Sequence, residues 1–101
     1  MTWSKYRAVP TVVNGIRFAS KAEARRYQEL LLEEKAGKIS GLQLQPSFKF
    51  PCGVGYRADF AYEENGLPIV EDVKGMRLPL FNAKAKMFKF HYPKMELRIT
   101  K

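Results

Sequence analysis

The chain has 101 residues, 46% hydrophobic and 13% aromatic, which is enough for the core of one domain and excludes separate catalytic and binding domains. Eighteen Lys and Arg residues against ten Asp and Glu give a formal charge of +8, which favours a polyanionic partner, nucleic acid before an anionic membrane surface. One cysteine, Cys52, and one histidine, His91, exclude an internal disulfide and a Cys/His zinc site.

The whole chain is treated as one domain, residues 1–101. We divide it into an N-terminal arm (1–10), a β-ribbon (11–19) and a core (20–101). No run is long and apolar enough for a signal peptide or a membrane span, so we expect a soluble cytoplasmic protein with no membrane partner. Trp3 and Tyr6 in the arm either anchor it or stack on a base.

The first predicted elements are a ribbon and a helix. Asn14-Gly15 lies between two β-prone runs and accepts positive φ at both positions, which predicts a tight hairpin over 11–18. Ser20 and Glu23 have capping-box spacing, and good helix formers continue through Ala36 to Gly37. We therefore expect the first helix to run from Ser20 to Ala36 and to end in a left-handed glycine cap.

Three strands, a second helix and a last strand follow. Alternating apolar residues predict a strand over 42–50, bent or broken at Pro46, and a hairpin of Tyr56–Tyr62 with Ile69–Lys74 turning at Asn65-Gly66. A broad apolar arc predicts a helix over 80–92, stopped by Pro93, and alternation resumes over Met95–Ile99. The order is ribbon, helix, three strands, helix, strand, a minimal α/β sandwich.

Two acids face each other in the predicted hairpin. Counting outward from Asn65-Gly66 places Asp59 opposite Asp72 at a non-hydrogen-bonded position, where Cα atoms are about 4.5 Å apart. Opposed like charges destabilise a sheet, so a shared cation explains the pair most simply, and oxygen ligands suit Mg²⁺ or Mn²⁺. Lys74 projects from the same face as Asp72, and Glu71 from the other. The alternative is a slipped register with two solvated acids.

An acid followed on the next strand by Asp72-Val73-Lys74 resembles the PD-(D/E)XK, restriction-endonuclease-like nuclease superfamily, with Asp59 as the first acid. The chain is more narrowly similar to small, mostly phage-encoded members of that superfamily, including those like Holliday-junction resolvases. The similarity lies in four runs: Gly15–Ala24, Leu42–Pro46, Tyr56–Phe60 and Val70–Gly75. The proline usually found before the first acid is Ala58 here.

The resemblance implies an α/β fold with a core of helix, three strands, helix and strand, and a Mg²⁺- or Mn²⁺-dependent DNA endonuclease. It implies that Asp59 and Asp72 hold the metal and that Lys74 orients or activates the attacking water. Glu23, whose helical face should look toward the sheet, is the expected third acid, or it simply completes the capping box with Ser20. Gln45 resembles an accessory polar position, or it hydrogen-bonds local backbone.

The expected partner is DNA, recognised by shape, such as a branch, junction or nick, with no small-molecule cofactor. A homodimer is a further hypothesis from the resemblance, and for a phage-encoded protein the compartment is the bacterial host cytoplasm. The rival interpretation is a non-catalytic basic nucleic-acid-binding protein. The cations expected to contact phosphate lie around the first helix start and on the second helix, where the lysines are otherwise a solvated face: Arg17, Lys21, Arg25, Arg26, Lys84, Lys86 and Lys89.

Overall fold

A four-stranded sheet with a helix packed on each face forms the centre of the fold. The computed structural model describes residues 9–101, so the expectation for Trp3 and Tyr6 lies outside the described residues. In chain order the elements are β1 (Thr11–Val13), β2 (Ile16–Phe18), α1 (Lys21–Lys35), β3 (Ser40–Leu44), β4 (Ser47–Lys49), β5 (Gly55–Arg57), β6 (Phe60–Glu64), β7 (Leu67–Val73), α2 (Pro79–His91) and β8 (Glu96–Thr100). The described part of the chain is therefore a mixed α/β fold, as predicted.

The central sheet has the strand order β3-β6-β7-β8. β6 pairs antiparallel with β3 and β7, while β8 pairs parallel with β7 after the crossover through α2. Ile69 of β7 packs with α1, and the next residue, Val70, packs with α2. Since successive strand residues point to opposite faces, the two helices cover opposite sides of the sheet.

Both ends of α1 follow the predicted capping chemistry. The Glu23 backbone N–H donates to Ser20 Oγ at 3.1 Å, which satisfies one of the free donors of the first turn. At the other end Gly37 adopts φ +79°, and Lys38 N–H donates to Glu33 O at 2.9 Å. This pairing is the Schellman motif, and it confirms the predicted end of the helix.

The hairpin of β6 and β7 also has the predicted register. Asn65 and Gly66 both have positive φ, as a type I′ turn requires, and the ladder runs outward from Glu64–Leu67 to Phe60–Glu71. Pairing stops one residue short of Asp59, which lies just before β6. The regular cross-strand pair predicted for Asp59 and Asp72 is therefore absent from the ladder.

Two predicted strands are each divided in the structure, the first at Pro46 as predicted and the second at a break that was not predicted. The 42–50 segment divides at Gln45-Pro46 into β3 and β4, and the predicted strand Tyr56–Tyr62 was wrong because it breaks at Ala58-Asp59 into β5 and β6. Backbone hydrogen bonds join the breaks: Ala58 N–H donates to Pro46 O at 3.0 Å, and Gln45 N–H donates to Asp59 O at 2.9 Å. The outer halves, β4 and β5, pair with each other in a separate small sheet.

The second helix and last strand lie within one residue of their predicted bounds. Pro79 starts α2, where its missing N–H costs no helical hydrogen bond, and the helix ends just before Tyr92 and Pro93. Phe88 of α2 is fully buried against the sheet. Within residues 9–101, neither helix is both long enough and apolar enough to cross a membrane.

Candidate metal and catalytic site

The candidate site lies where β7 ends and where the chain breaks before β6. Asp72 and Lys74 come from the end of β7, Asp59 from the break, and Glu23 from the first turn of α1. The tight turn sets the position of the two strands, and the cap at Ser20 sets the position of the helix. Residues far apart in the sequence are thereby brought to one edge of the fold.

Asp72 is the most constrained of the acids. Its side chain is only 1% exposed, and its Oδ2 accepts a hydrogen bond from the Tyr56 hydroxyl. Its other oxygen, Oδ1, is buried and has no hydrogen-bond partner within the described residues 9–101; Lys74 Nζ lies 3.7 Å away. Burial, followed by the nearby Asp59 charge and in spite of the Tyr56 hydrogen bond, raises the pKa of Asp72 to about 7.

Asp59 is held by backbone on both sides. Its backbone N–H donates to Glu71 O at 3.2 Å, and its Oδ2 accepts from the Val73 N–H at 2.7 Å. The Asp59 side chain is half-buried. Asp59 has left the strand, but its charge still lies close enough to Asp72 and Glu23 to raise the pKa of both carboxyls.

Glu23 faces the sheet, as its helical position predicted, and is buried. Burial and the neighbouring Asp59 charge raise the pKa of Glu23 to about 7, while Lys74 and Arg57 partly offset the shift. The Ser20 cap uses the backbone N–H of Glu23, so the carboxyl group is free to turn toward Asp59. The structure thus brings Glu23, Asp59 and Asp72 together beside Lys74.

Lys74 is fixed by its surroundings at the edge of the cluster. Its backbone N–H donates to Thr100 O at 2.7 Å, which extends the pairing of β7 with β8. Its ammonium group lies 5.0 Å from the centroid of the Phe81 ring on α2, within cation–π range. The side chain is about one-third exposed, so the charge near Asp72 is accessible to a ligand.

The chemistry of the donor set fits a hard divalent cation. Carboxylate oxygens are the ligands that Mg²⁺ and Mn²⁺ prefer, and the unpartnered Asp72 Oδ1 is a buried acceptor that a cation would satisfy. Among residues 9–101, no three His, Cys, Asp or Glu side chains already stand in a metal-holding arrangement. The raised pKa values of Glu23 and Asp72 show that these carboxyls compete for protons at neutral pH.

A second acid network lies on the opposite face of β7. Glu71 is fully buried and accepts hydrogen bonds from Tyr62, from Thr100 at 2.9 Å, and from Arg26 at 2.6 and 3.1 Å. Burial alone would raise the pKa of Glu71, but the hydrogen bonds from Arg26, Tyr62 and Thr100 lower it below the usual range. The prediction that Glu71 projects away from Asp72 is consistent with these contacts.

This network requires one correction to the predicted DNA-binding set. Arg26 was expected to contact phosphate, but its guanidinium is bound to Glu71 and also pairs with Glu29 at 3.0 Å and Glu33 at 3.3 Å. With its charge neutralised on the sheet side of α1, Arg26 has a structural role. We therefore remove Arg26 from the DNA-binding residues.

The other predicted cations divide by position. Lys84 lines a cleft beside Lys74, whereas Lys86 and Lys89 are exposed on α2 and do not line that cleft. Three more of these cations are exposed near the start of α1. Arg17 lies on β2, and Lys21 and Arg25 lie on α1. Gln45 is exposed with φ +51°, and its backbone N–H supports Asp59.

Sequence reasoning missed two residues next to the acids. Tyr56 donates to Asp72, and Arg57 lies near enough for its charge to lower the pKa of Glu23. Both come from β5: Tyr56 lies three residues before Asp59, and Arg57 lies two residues before it. The signal was present, because Tyr56 and Arg57 belong to one of the runs on which the resemblance rests, but nothing in the alternation distinguished them from an ordinary strand.

Without a divalent cation, the protein should lose stability as the pH rises from about 5 to 8. Glu23 and Asp72 titrate near pH 7 in the folded chain, whereas such carboxyls titrate near pH ~4 when unfolded. In this window the folded chain holds more protons than the unfolded chain, so the free energy of unfolding decreases with pH. We expect a decrease on the order of a few kcal/mol, measured by urea unfolding in EDTA.

The control for this prediction is Glu23→Gln, which should reduce the slope, because the amide does not titrate and only Asp72 still does. An unfolding free energy that stays constant or increases between pH 5 and 8 in the wild-type protein would contradict the proposed crowding of the carboxyls.

Comparison with known proteins identifies a family but no named relative. The search of curated proteins and the search of solved structures found no match to the chain. Residues 3–101 match the family described as "Protein of unknown function (DUF1064)". Because this match spans nearly the entire sequence, the chain belongs to the DUF1064 family.

Proposed function

We propose that this protein is a metal-dependent DNA endonuclease that hydrolyses phosphodiester bonds with Mg²⁺ or Mn²⁺. The observation that carries the proposal is the convergence of Glu23, Asp59 and Asp72 beside Lys74. One oxygen of Asp72 is buried there without a hydrogen-bond partner among residues 9–101. Clustering buried acids lowers stability, so a chain with an ordinary structural role gains nothing from it. A divalent cation bound among these residues would compensate their negative charges and explain the cluster.

The fold supports the same proposal. Apart from the β1-β2 ribbon and the small β4-β5 sheet, the elements follow the order α1, three strands, α2, strand. This is the order of the restriction-endonuclease-like core that the sequence resembles. Asp59 lies just before β6, and Asp72 and Lys74 lie at the end of β7, both central strands of that sheet. These three residues are the ones that resemble the PD-(D/E)XK motif.

In the proposed site, Asp59, Asp72 and Glu23 would hold the cation. Once bound, the cation would polarise the scissile phosphate and lower the pKa of a water molecule. The chain contributes the orientation of its ligands: Tyr56 fixes one oxygen of Asp72, and the Val73 N–H fixes one oxygen of Asp59. Lys74 is positioned to orient the attacking water and to offset negative charge that develops at phosphorus.

The charge distribution supports DNA as the substrate. The net charge of +8 exists although the site itself is acidic, and Arg57, Lys74 and Lys84 stand around the acids and the adjoining cleft. Arg17, Lys21 and Arg25 extend the proposed phosphate contacts to the start of α1. Contacts to the DNA backbone give a salt-dependent affinity with little sequence selectivity. We therefore propose that the protein recognises DNA structure. We further propose that a homodimer cuts the two strands.

The test is a cleavage assay on matched linear, nicked, flapped and four-way-junction DNA with Mg²⁺, Mn²⁺ or EDTA. The proposal predicts cleavage that requires the metal and that is faster on at least one interrupted or branched substrate than on the intact duplex. Absence of cleavage on every substrate with both metals would refute it. Salt-sensitive DNA binding without cleavage would instead support the non-catalytic nucleic-acid-binding interpretation.

A further inference from the structure

A cleft of about 370 Å³ opens directly beside the acid cluster, and the proposed hydrolysis does not use it. Its apolar wall comes from the segment that joins β7 to α2 and from the first turn of α2. Met76, Leu78 and Leu80 are 46%, 50% and 65% exposed there, and the Phe81 ring lies among them. Three exposed apolar side chains around one concave surface indicate that a ligand covers them.

The polar residues of the cleft define the charge of that ligand. Arg57, Lys74 and Lys84 line it, and none of the lining residues in the described part of the chain is acidic. The cleft therefore combines apolar and aromatic contacts with a cationic rim. Proteins bind single-stranded nucleic acid with this combination, because the bases are apolar on their faces and the phosphates that connect them are anionic.

The cleft is continuous with the candidate site. Tyr56 and Lys74 line it, and the same two residues contact Asp72 on the other side. Tyr56 therefore both lines the cleft and supports Asp72. Its ring lies 6.4 Å from the ring of Phe81 in the cleft wall. A strand with a phosphate at the acids would therefore have its next nucleotide at the cleft.

We propose that this cleft receives one unpaired nucleotide of a DNA strand whose neighbouring phosphate lies at the acid cluster. Paired bases in a duplex stack on each other and present only their edges, so their faces are not available to a concave apolar surface. An unpaired base can present its face without the free-energy cost of breaking a base pair. The position of the phosphate in this proposal rests on the proposed function. The substrate class that follows is DNA with unpaired nucleotides.

The experiment measures binding without metal or cleavage. Fluorescein-labelled DNA of one sequence is prepared as a 20-nucleotide single strand and as a duplex, and fluorescence anisotropy gives the Kd of each in EDTA at a fixed salt concentration. The wild-type protein should bind the single strand more tightly than the duplex. Leu80→Ser should weaken binding of the single strand about 5- to 10-fold and change binding of the duplex less than about twofold.

The matched control is Leu32→Ser. Leu32 is 68% exposed on α1, close to the exposure of Leu80, and does not line this cleft. This variant should change neither affinity. Because both leucines are exposed, both variants should fold, which circular dichroism and thermal melting verify.

A second readout locates the base. A single strand with one central 4-thiothymidine, crosslinked by near-ultraviolet light, should attach to a peptide within residues 76–84, and Leu80→Ser should reduce the yield. Duplex preference, equal losses for both DNA forms, equal effects of Leu80→Ser and Leu32→Ser, or crosslinks confined elsewhere would overturn the assignment.

The two proposals fail separately. Cleft-dependent binding of the single strand in a protein that never cleaves DNA would refute the nuclease and keep the cleft as a nucleotide site. Metal-dependent cleavage with no role for Leu80 in binding of the single strand would keep the nuclease and refute the cleft.

Discussion

Asp72→Asn should reduce metal-dependent DNA cleavage at least ~100-fold, because even residues that only support metal ligands cost 10- to 100-fold when replaced. The amide is a poor ligand for a hard cation and no longer supplies a charged oxygen at the position of the unpartnered Oδ1. DNA binding in EDTA should stay equal or become tighter, because one negative charge near the phosphates is removed. The measurements are initial cleavage rates with Mn²⁺ and Kd values from anisotropy.

The control for Asp72→Asn is Glu63→Gln. Glu63 is exposed on β6, so this variant removes the same charge away from the acid cluster. It should retain the wild-type cleavage rate within about twofold. An Asp72→Asn protein that folds and cleaves at half the wild-type rate or more would contradict the assignment of Asp72 as a ligand.

Arg26→Met should destabilise the protein by about 3–5 kcal/mol, the cost of leaving a buried carboxylate without its partner. Glu71 is 0% exposed and accepts two hydrogen bonds from the Arg26 guanidinium. Tyr62 and Thr100 would remain as donors, but neither supplies a positive charge. The measurement is the free energy of unfolding in urea at pH 7.

Two further variants control for the loss of the long side chain. Arg25→Met on the same helix removes an exposed charge and should cost less than about 0.5 kcal/mol. Adding Glu71→Gln to Arg26→Met should recover part of the stability, because the buried group is then neutral. Equal effects of Arg25→Met and Arg26→Met would show that the Glu71 network does not stabilise the fold.

The Glu71 network also explains why the position of Asp72 is well defined. Glu71 and Asp72 are adjacent on β7 and point to opposite faces, so Glu71 is anchored to α1 while Asp72 meets Tyr56. The ion pair with Arg26 therefore fixes the strand that carries the candidate ligand. This connection joins the stability of the fold to the geometry of the site.

Local chemistry made the helices and the hairpin predictable from the sequence. Ser20 and Gly37 set the two ends of α1 through hydrogen bonds between residues at most five positions apart along the chain. Asn65-Gly66 likewise fixed the register of β6 and β7, because both residues accept positive φ. These signals depend on neighbours in sequence, so composition and spacing were sufficient.

The break before Asp59 was not predictable in the same way, whereas Pro46 did predict the break between β3 and β4. The alternation of apolar residues from Tyr56 to Tyr62 continues through Ala58 without interruption, so it predicts one strand. The break arises from hydrogen bonds between Ala58-Asp59 and Gln45-Pro46, which are more than ten residues away. Only the tertiary structure specifies that contact, and it is this break that turns Asp59 toward Val73 and Glu23.

The residues of the candidate site could be proposed from the sequence. The hydrogen-bond and ion-pair partners around them were harder to predict. Asp59, Asp72, Lys74 and Glu23 were proposed from strand register, helical face and resemblance, and the structure places their side chains near one another. Arg26 was misassigned because a lysine- or arginine-rich helix start gives no indication of which cation meets a buried acid. Glu71 would have been the indication, since an acid on the covered face of a strand requires a partner.

The most direct test of the account is the position of a bound Mn²⁺ ion. Crystals soaked in Mn²⁺ near pH 8, where Glu23 and Asp72 are largely ionised, should give an anomalous peak within about 2.5 Å of carboxylate oxygens of Asp59 and Asp72. Absence of a peak at these acids at millimolar Mn²⁺, or a peak only at other residues, would contradict the account.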